Sequence, residues 1–194
     1  MELVCVGWNA GALSLSKEID WEKLATDLGA LTPNGETGGS EPARRALELL
    51  IGEDALRSSV DYYIDRRPGS ELARSVLWQL RPWCAMSYCY EIFKGSRDVE
   101  DRRTAVELLR VVADARVIPW ITEFLKDNDL GIQDWGIGVL DQLLWSELTW
   151  PDDVEDLIET SAQHQNEYVR ERVDFIKKYL HDRVQRESET TDSP

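Results

Sequence analysis

Hydrophobic positions recur along this chain with the period of an amphipathic helix, most regularly between Val99 and Leu144. Two long helices in this stretch share one template, in which inward positions stand at i, i+3 and i+7. A shorter helix between them carries a second apolar face, from Val117 to Leu125, after a first turn that contains Pro119. The pattern predicts a helix A, a helix B and then the helix A of a next copy.

The template occurs four times and begins again in a fifth, shorter copy. Its starts at residues 43, 73, 102 and 132 are 30, 29 and 30 residues apart, and the fifth start follows after 37. A period of this length indicates a repeat protein, in which stacked helical pairs share a continuous core. We place the extra residues of the fourth interval in SELTWP, residues 146–151. The copies are Ala43/Ala46/Leu50, Ala73/Val76/Leu80, Arg102/Ala105/Leu109, Ile132/Trp135/Val139 and Val169/Arg172/Ile176.

The two ends of the chain do not follow the repeat. Residues 1–41 are expected to hold a short strand or extended entry at Leu3–Trp8, one helix with Asp20 as its N-cap, and a Gly- and Pro-rich linker. The repeat domain is expected at residues 42–182, with a polar capping helix from Glu167 to His181. Residues 183–194 are expected to form a frayed tail.

Residues 41–180 resemble the HEAT-like repeat family in its short bacterial form, the phycobilisome-lyase type. The segments that carry the resemblance are DARVIPWITEFLKDND, similar to the second helix and turn of the family repeat, and DLGIQDWGIGVL, similar to the first helix. Arginine is common in the first helix of the family, and Gln133 stands in its place in the fourth copy. The resemblance implies an all-α fold, a right-handed α-solenoid of about four to five helical hairpins. The matching arginines are Arg44, Arg74, Arg103 and Arg170.

Composition places the chain among soluble globular proteins, with 42% apolar and 30% charged residues. No apolar run approaches the ~18 residues of a membrane helix, and Leu3–Trp8 follows Glu2 rather than a basic segment, so we expect no secretory signal. The cysteines Cys5, Cys84 and Cys89 lack CxxC spacing. They favour a reducing, cytoplasmic setting, with Cys84 and Cys89 as small buried hydrophobic residues.

Charge is distributed unevenly, and this is the strongest functional signal. The net charge is −15, and residues 128–164 hold nine acidic residues and no Lys or Arg. A nucleic-acid-binding protein needs a basic footprint, so direct nucleic-acid binding is not expected, and neither is binding to an anionic membrane. A basic protein is the partner that such a field attracts.

Helical geometry predicts an acidic docking surface in the fourth copy. On helix B, the acids lie opposite an inward face formed by Val154, Leu157 and Ile158. On helix A, a stripe of Asp134, Gly138, Asp141 and Trp145 is expected to face away from the core, and Gly136 and Gly138 indicate close approach by a neighbouring helix or by a partner. The alternative is a solvated acidic face that maintains solubility. The predicted partner-binding residues are Asp134, Asp141, Trp145, Trp150, Asp152, Asp153, Asp156 and Glu159.

Signatures of catalysis are thin. His164 and His181 belong to no cluster with metal-ligand spacing, and Asp127–Gly131 fits an inter-repeat turn better than a calcium loop. The chain holds no GxGxxG, Walker A, GxSxG or HExxH motif. We therefore expect no catalytic residues, no metal and no cofactor.

These observations predict a non-enzymatic, cytoplasmic, bacterial protein that acts through protein–protein interaction. Its most concrete form is an immunity protein, a toxin inhibitor that occludes the basic surface of its toxin. The resemblance also implies enzymatic alternatives, since HEAT-like repeats build phycobilin lyases and alkyl-purine DNA glycosylases. A lyase-like role would use the aromatic residues Trp78, Trp83, Tyr88 and Tyr90. A third alternative is a structural scaffold subunit.

Overall fold

The computed structural model of the protein describes residues 19–95 and 98–191, with side chains to residue 186. Within these residues the fold is all-helical, with ten α-helices and one two-stranded β-ribbon. Among the same residues, no helix has both the length and the apolar character needed to cross a bilayer. The chain divides into two compact units, residues 1–46 and 47–194.

The first helix described in the first unit is α1, Trp21–Asp27. The carboxylate of Asp20 accepts a hydrogen bond from the backbone N–H of Lys23 at 2.9 Å, which confirms the predicted N-cap. The predicted linker is only partly irregular: strands β1, Leu31–Thr32, and β2, Gly35–Glu36, pair antiparallel. Helix α2, Ser40–Ile51, starts before the expected end of the linker. The predicted strand at Leu3–Trp8, including Cys5, lies outside the described residues.

The second unit is built from eight further helices. Short 3-10 turns at Ala115–Val117 and Pro151–Val154 precede the seventh and ninth helices of the chain. The helices are α3 Glu53–Ile64, α4 Ser70–Leu80, α5 Trp83–Lys94, α6 Val99–Val112, α7 Ile118–Leu125, α8 Leu130–Trp145, α9 Glu155–Ala162 and α10 Glu167–Thr191.

These helices form two rows. In the A row, α4, α6, α8 and α10 each contact the next; in the B row, α3 packs on α5, and α5 reaches α7 through stacked Tyr90 and Trp120 rings at 4.4 Å. The closest pairs between the rows are α3/α4, α5/α6, α7/α8 and α9/α10. Each compact hairpin therefore consists of a B helix and the A helix that follows it, one helix out of phase with the A-then-B copies expected from the sequence.

The core confirms the repeat template in the later helices. Ala105, Leu109, Ile132 and Val139 are buried completely, and so is Val169. The template is weaker at the start of the chain, because α2 buries none of its residues and Val76 of α4 is 41% exposed. The shared apolar core therefore lies mainly among the helices from α3 to α10.

Aspartates cap and tie the turns between helices. Asp129 accepts a hydrogen bond from the N–H of Ile132 at 2.9 Å, and Arg103 Nη2 reaches its carboxylate at 2.7 Å. Arg103 keeps the pKa of Asp129 below its usual range. Arg102 pairs with Asp127 of the same turn. Both aspartates thus serve the inter-helix turn, as the sequence indicated.

Helix α10 is longer than the capping helix expected from the sequence. It continues to Thr191 and so includes residues that were expected in the frayed tail.

Two of the three glycines of α8, Gly136 and Gly138, allow close approach by neighbouring helices, which is one of the two predicted explanations. A Cβ at Gly136 would lie 2.5 Å from Cβ of Phe124 on α7. A Cβ at Gly138 would lie 3.2 Å from Cδ of Arg110 on α6, which is a flexible part of a long side chain. The α7/α8 contact therefore depends on Gly136 much more than the α6/α8 contact depends on Gly138.

We expect Gly136→Ala to destabilise the protein by about 1–2 kcal/mol, because overpacking against a fixed Cβ outweighs the gain in helix propensity. Gly138→Ala is the matched control, since Arg110 can shift and alanine favours the helix; it should be neutral or stabilising by up to about 1 kcal/mol. Urea unfolding of both variants measures the difference. Equal effects of the two substitutions would contradict this assignment.

Candidate functional site

Bases on neighbouring helices neutralise four of the nine acids in residues 128–164. Arg103 binds Asp129, and Arg183 Nη2 lies 3.2 Å from Oε1 of Glu147. Arg172 of α10 serves two acids of α8, as described below. The charge imbalance of this segment in sequence is therefore partly cancelled in space.

The other five acids lie together on α9 and the 3-10 turn before it. All are exposed, and within the described part of the chain none of them forms an ion pair. They project opposite buried Val154, Ile158 and Ser161, as the helical pattern predicted. We call this surface the α9 acidic face: Asp152, Asp153, Glu155, Asp156 and Glu159. Glu155 was missing from the predicted site, although it lies in the same acidic run.

The predicted stripe on α8 does not face solvent along its length, and this corrects the outward orientation predicted for Asp141, which is only 8% exposed. Arg172 Nη2 lies 3.5 Å from Oδ1 of Asp134, and its Nη1 lies 3.3 Å from Oδ2 of Asp141. Asp134 and Asp141 therefore form an ion-pair network with Arg172 of α10.

Burial raises the pKa of Asp141 above its ordinary value, although Arg172 and Arg110 favour the charged carboxylate. Arg110 lies beside this group with its guanidinium 5.5 Å from the ring of Trp135, and its buried Nε has no hydrogen-bond partner among the described residues. The cluster thus contains two cations and two carboxylates, and it links α6, α8 and α10.

The two predicted tryptophan anchors are exposed. Trp150 is 67% exposed and directly precedes the turn that carries Asp152 and Asp153. Trp145 is 57% exposed, and its ring lies 4.8 Å from that of Tyr179 on α10. A large exposed indole beside unpaired carboxylates provides apolar area and charge on one surface.

Helix α9 lies between two grooves. The first, the α7–α9 groove, has a volume of about 350 Å³ and is lined by the apolar residues Ile118 and Leu157 and by acidic residues that include Asp153 and Asp156. The second, the α9–α10 groove, has a volume of about 230 Å³ and includes Lys177 of α10. Asp152 and Glu155 line both grooves, and Pro151, Ile158, Leu180 and Glu159 complete the second.

A second aromatic patch lies on the B row. Trp83 is 40% exposed, and Trp120 lies between it and Tyr90, with ring centroids 5.5 Å and 4.4 Å away. Burial and the Glu123 carboxylate raise the pKa of Tyr90 to about 12. Of the other aromatic residues singled out in the sequence, Trp78 is 44% exposed, while the Tyr88 hydroxyl donates to Asp61 at 2.9 Å.

A polar cleft of about 840 Å³ lies between the α7–α8 and α9–α10 turns, but its groups bind one another. A ring nitrogen of His164 lies 2.9 Å from the carbonyl of Leu125, and the other accepts from the N–H of Asn166. The Asn166 side chain donates to the Leu130 carbonyl and to Gln133. We assign this network to the joining of two turns.

The described cysteines are buried, as predicted. Burial raises the pKa of the Cys84 thiol to about 12 and also raises that of Cys89. Both thiols are therefore protonated at neutral pH and poor nucleophiles. Among residues 19–95 and 98–191, no cluster of His, Cys, Asp and Glu could hold a metal ion.

No family model matches the chain, and comparisons with curated proteins and with solved structures find no match. The assignment of function consequently depends on the geometry and charge described above.

We expect Asp141→Asn to remove a pH-dependent destabilisation. The pKa of Asp141 in the folded chain lies above the ordinary value of 3.8. At pH values between the unfolded and the folded pKa, the folded chain holds a proton that the unfolded chain has lost. The free energy of unfolding of the wild type therefore falls relative to that of the variant as pH rises through this range. Urea unfolding from pH 3 to pH 7 should give matching stabilities at the acidic end and a growing advantage for the variant towards pH 7.

Asp134→Asn is the control. It removes the more exposed of the two carboxylates that pair with Arg172, so its change in stability measures the loss of one ion pair. A stability difference for Asp141→Asn that is constant over the whole pH range would contradict the buried-carboxylate assignment.

Proposed function

We propose that this protein is a non-enzymatic protein-binding module and that its docking surface is the α9 acidic face together with Trp150. The partner is a basic protein. One observation carries the proposal: arginines from α6 and α10 neutralise the acids of α8 and its flanking turns, whereas all five acids of the α9 acidic face lack an ion pair within the described residues.

The charge distribution suits a role in recognition. Like charges held on one face repel one another in the free protein, and a partner with complementary charge removes that repulsion while the field speeds encounter. The exposed Trp150 indole adds the kind of side chain that dominates binding energy once water is excluded. Trp145 is near Trp150 in the sequence, but its ring already packs on the ring of Tyr179, so we assign Trp145 a supporting role in binding.

We further propose that the two rows are a short right-handed α-solenoid of the HEAT-like type. The period of about 30 residues supports this. So does Arg103, which stands where the family commonly has arginine and binds the capping Asp129 of the next A helix. In such a scaffold each hairpin buries its apolar face only against its neighbours.

The most concrete form of the function is a cytoplasmic bacterial immunity protein that inhibits a toxin. A nuclease toxin grips phosphates with lysine and arginine, and these side chains are the natural counterpart of a row of carboxylates. Occupation of those groups would exclude the nucleic acid by direct competition. A scaffold subunit would use the same surface without abolishing an activity of its partner.

We expect Asp152/Asp153/Asp156→Asn to lose the partner in affinity capture from the native cells, and the wild-type complex to weaken as salt is raised from about 0.05 M to 0.5 M. The matched control is Glu22/Glu36→Gln with Asp54→Asn, which removes the same number of exposed charges elsewhere. An inhibition assay on the captured partner then separates an immunity protein from a scaffold.

If the triple variant and the charge-matched control capture the partner equally, the α9 acidic face is a solvated surface and the proposal is wrong. Binding that does not respond to salt would lead to the same conclusion.

Trp150→Ala should weaken binding of the same partner by about 2 kcal/mol, roughly 30-fold, and leave unfolding by urea unchanged because the side chain is exposed. Trp21→Ala removes a comparably exposed tryptophan, 62% against 67%, from the other unit and is the control. Equal binding by wild type and the Trp150 variant would remove this residue from the interface.

A further inference from the structure

The α7–α9 groove is lined by both apolar side chains and carboxylates. Ile118 and Leu157 are partly buried, and the exposed carboxylates, which we call the rim of the groove, include Asp152, Asp153 and Asp156. The residues that line it include no Lys, Arg or His. The groove therefore offers contacts both to an aliphatic chain and to a positive charge.

We infer that the α7–α9 groove receives one long basic side chain, arginine or lysine, from the protein partner. This inference rests on the proposed function and deepens it, because it assigns the partner a specific chemistry at one place. The methylenes of such a side chain would lie against Ile118 and Leu157, while its charged head reaches the carboxylates. A shorter side chain of equal charge would contact the carboxylates but would lack the methylenes that lie against Ile118 and Leu157.

Size and charge both point to this occupant. The volume of about 350 Å³ is near the lower limit of pockets for small molecules, and one long side chain fits within it. The excess of negative charge at the rim excludes an acidic or phosphate-bearing group. Nucleic acid is thereby excluded as the direct occupant.

The α9–α10 groove provides an internal comparison. It shares Asp152 and Glu155 with the first groove, but Lys177 of the chain itself lies along it with Leu180. A cation is therefore already present on that side of α9. The rim residues that differ are useful for a test: Asp156 lines only the α7–α9 groove, whereas Glu159 lines only the α9–α10 groove.

The test uses the full chain and two peptides, octa-arginine and an octamer of 2-amino-3-guanidinopropionic acid. Both carry eight guanidinium groups, which stay protonated, but the second has two fewer methylenes in each side chain. We expect octa-arginine to bind about tenfold more tightly in calorimetry, as burial of roughly two methylenes requires. Asp156→Asn should reduce the affinity for octa-arginine at least threefold more than Glu159→Gln does.

Equal affinities for the two peptides would overturn the inference and leave the proposed function standing, because charge alone would then explain binding. Equal losses in Asp156→Asn and Glu159→Gln would also overturn it. If neither peptide binds in a salt-dependent manner, both the inference and the proposed function fail.

Discussion

Arginines that reach from one A helix to the next decide both how the rows hold together and which charges remain free. Arg103 of α6 binds the cap of α8, and Arg172 of α10 binds Asp134 and Asp141 of α8. Each contact joins helices that are distant in sequence. The same contacts neutralise the negative charge of Asp134 and Asp141 on α8. The charge that remains is concentrated on α9.

The inward positions of the later helices were readable from the sequence because their spacing is a property of one helix. Ile132, Val139 and Val169 stand at fixed offsets, and all three are buried. The acids of α9 were placed on the exposed side by the same reasoning. The docking role of these acids stays a prediction.

The error at Asp141 has a physical reason. A helical wheel separates an inward from an outward face, but an A helix in a row has neighbours on two sides as well as across the rows. The wheel of α8 alone did not reveal that α10 packs against the stripe containing Asp141. The repeat template places Arg172 at an inward position, and this was the available signal: an arginine turned towards the preceding helix needs a carboxylate there.

The position of Glu159 distinguishes charge that helps the helix from charge that does not. Carboxylates at Glu155 and Asp156 lie in the first turn of α9, where the positive end of the helix stabilises each by about 0.3–1 kcal/mol. Glu159 lies beyond that turn, and it follows Glu155 by four residues and Asp156 by three, spacings at which like charges destabilise a helix by about 0.2–0.5 kcal/mol per pair. Helix stability therefore explains the start of the acidic run but not its continuation. The proposed docking role concerns this part of the run, which the stability of the helix does not explain.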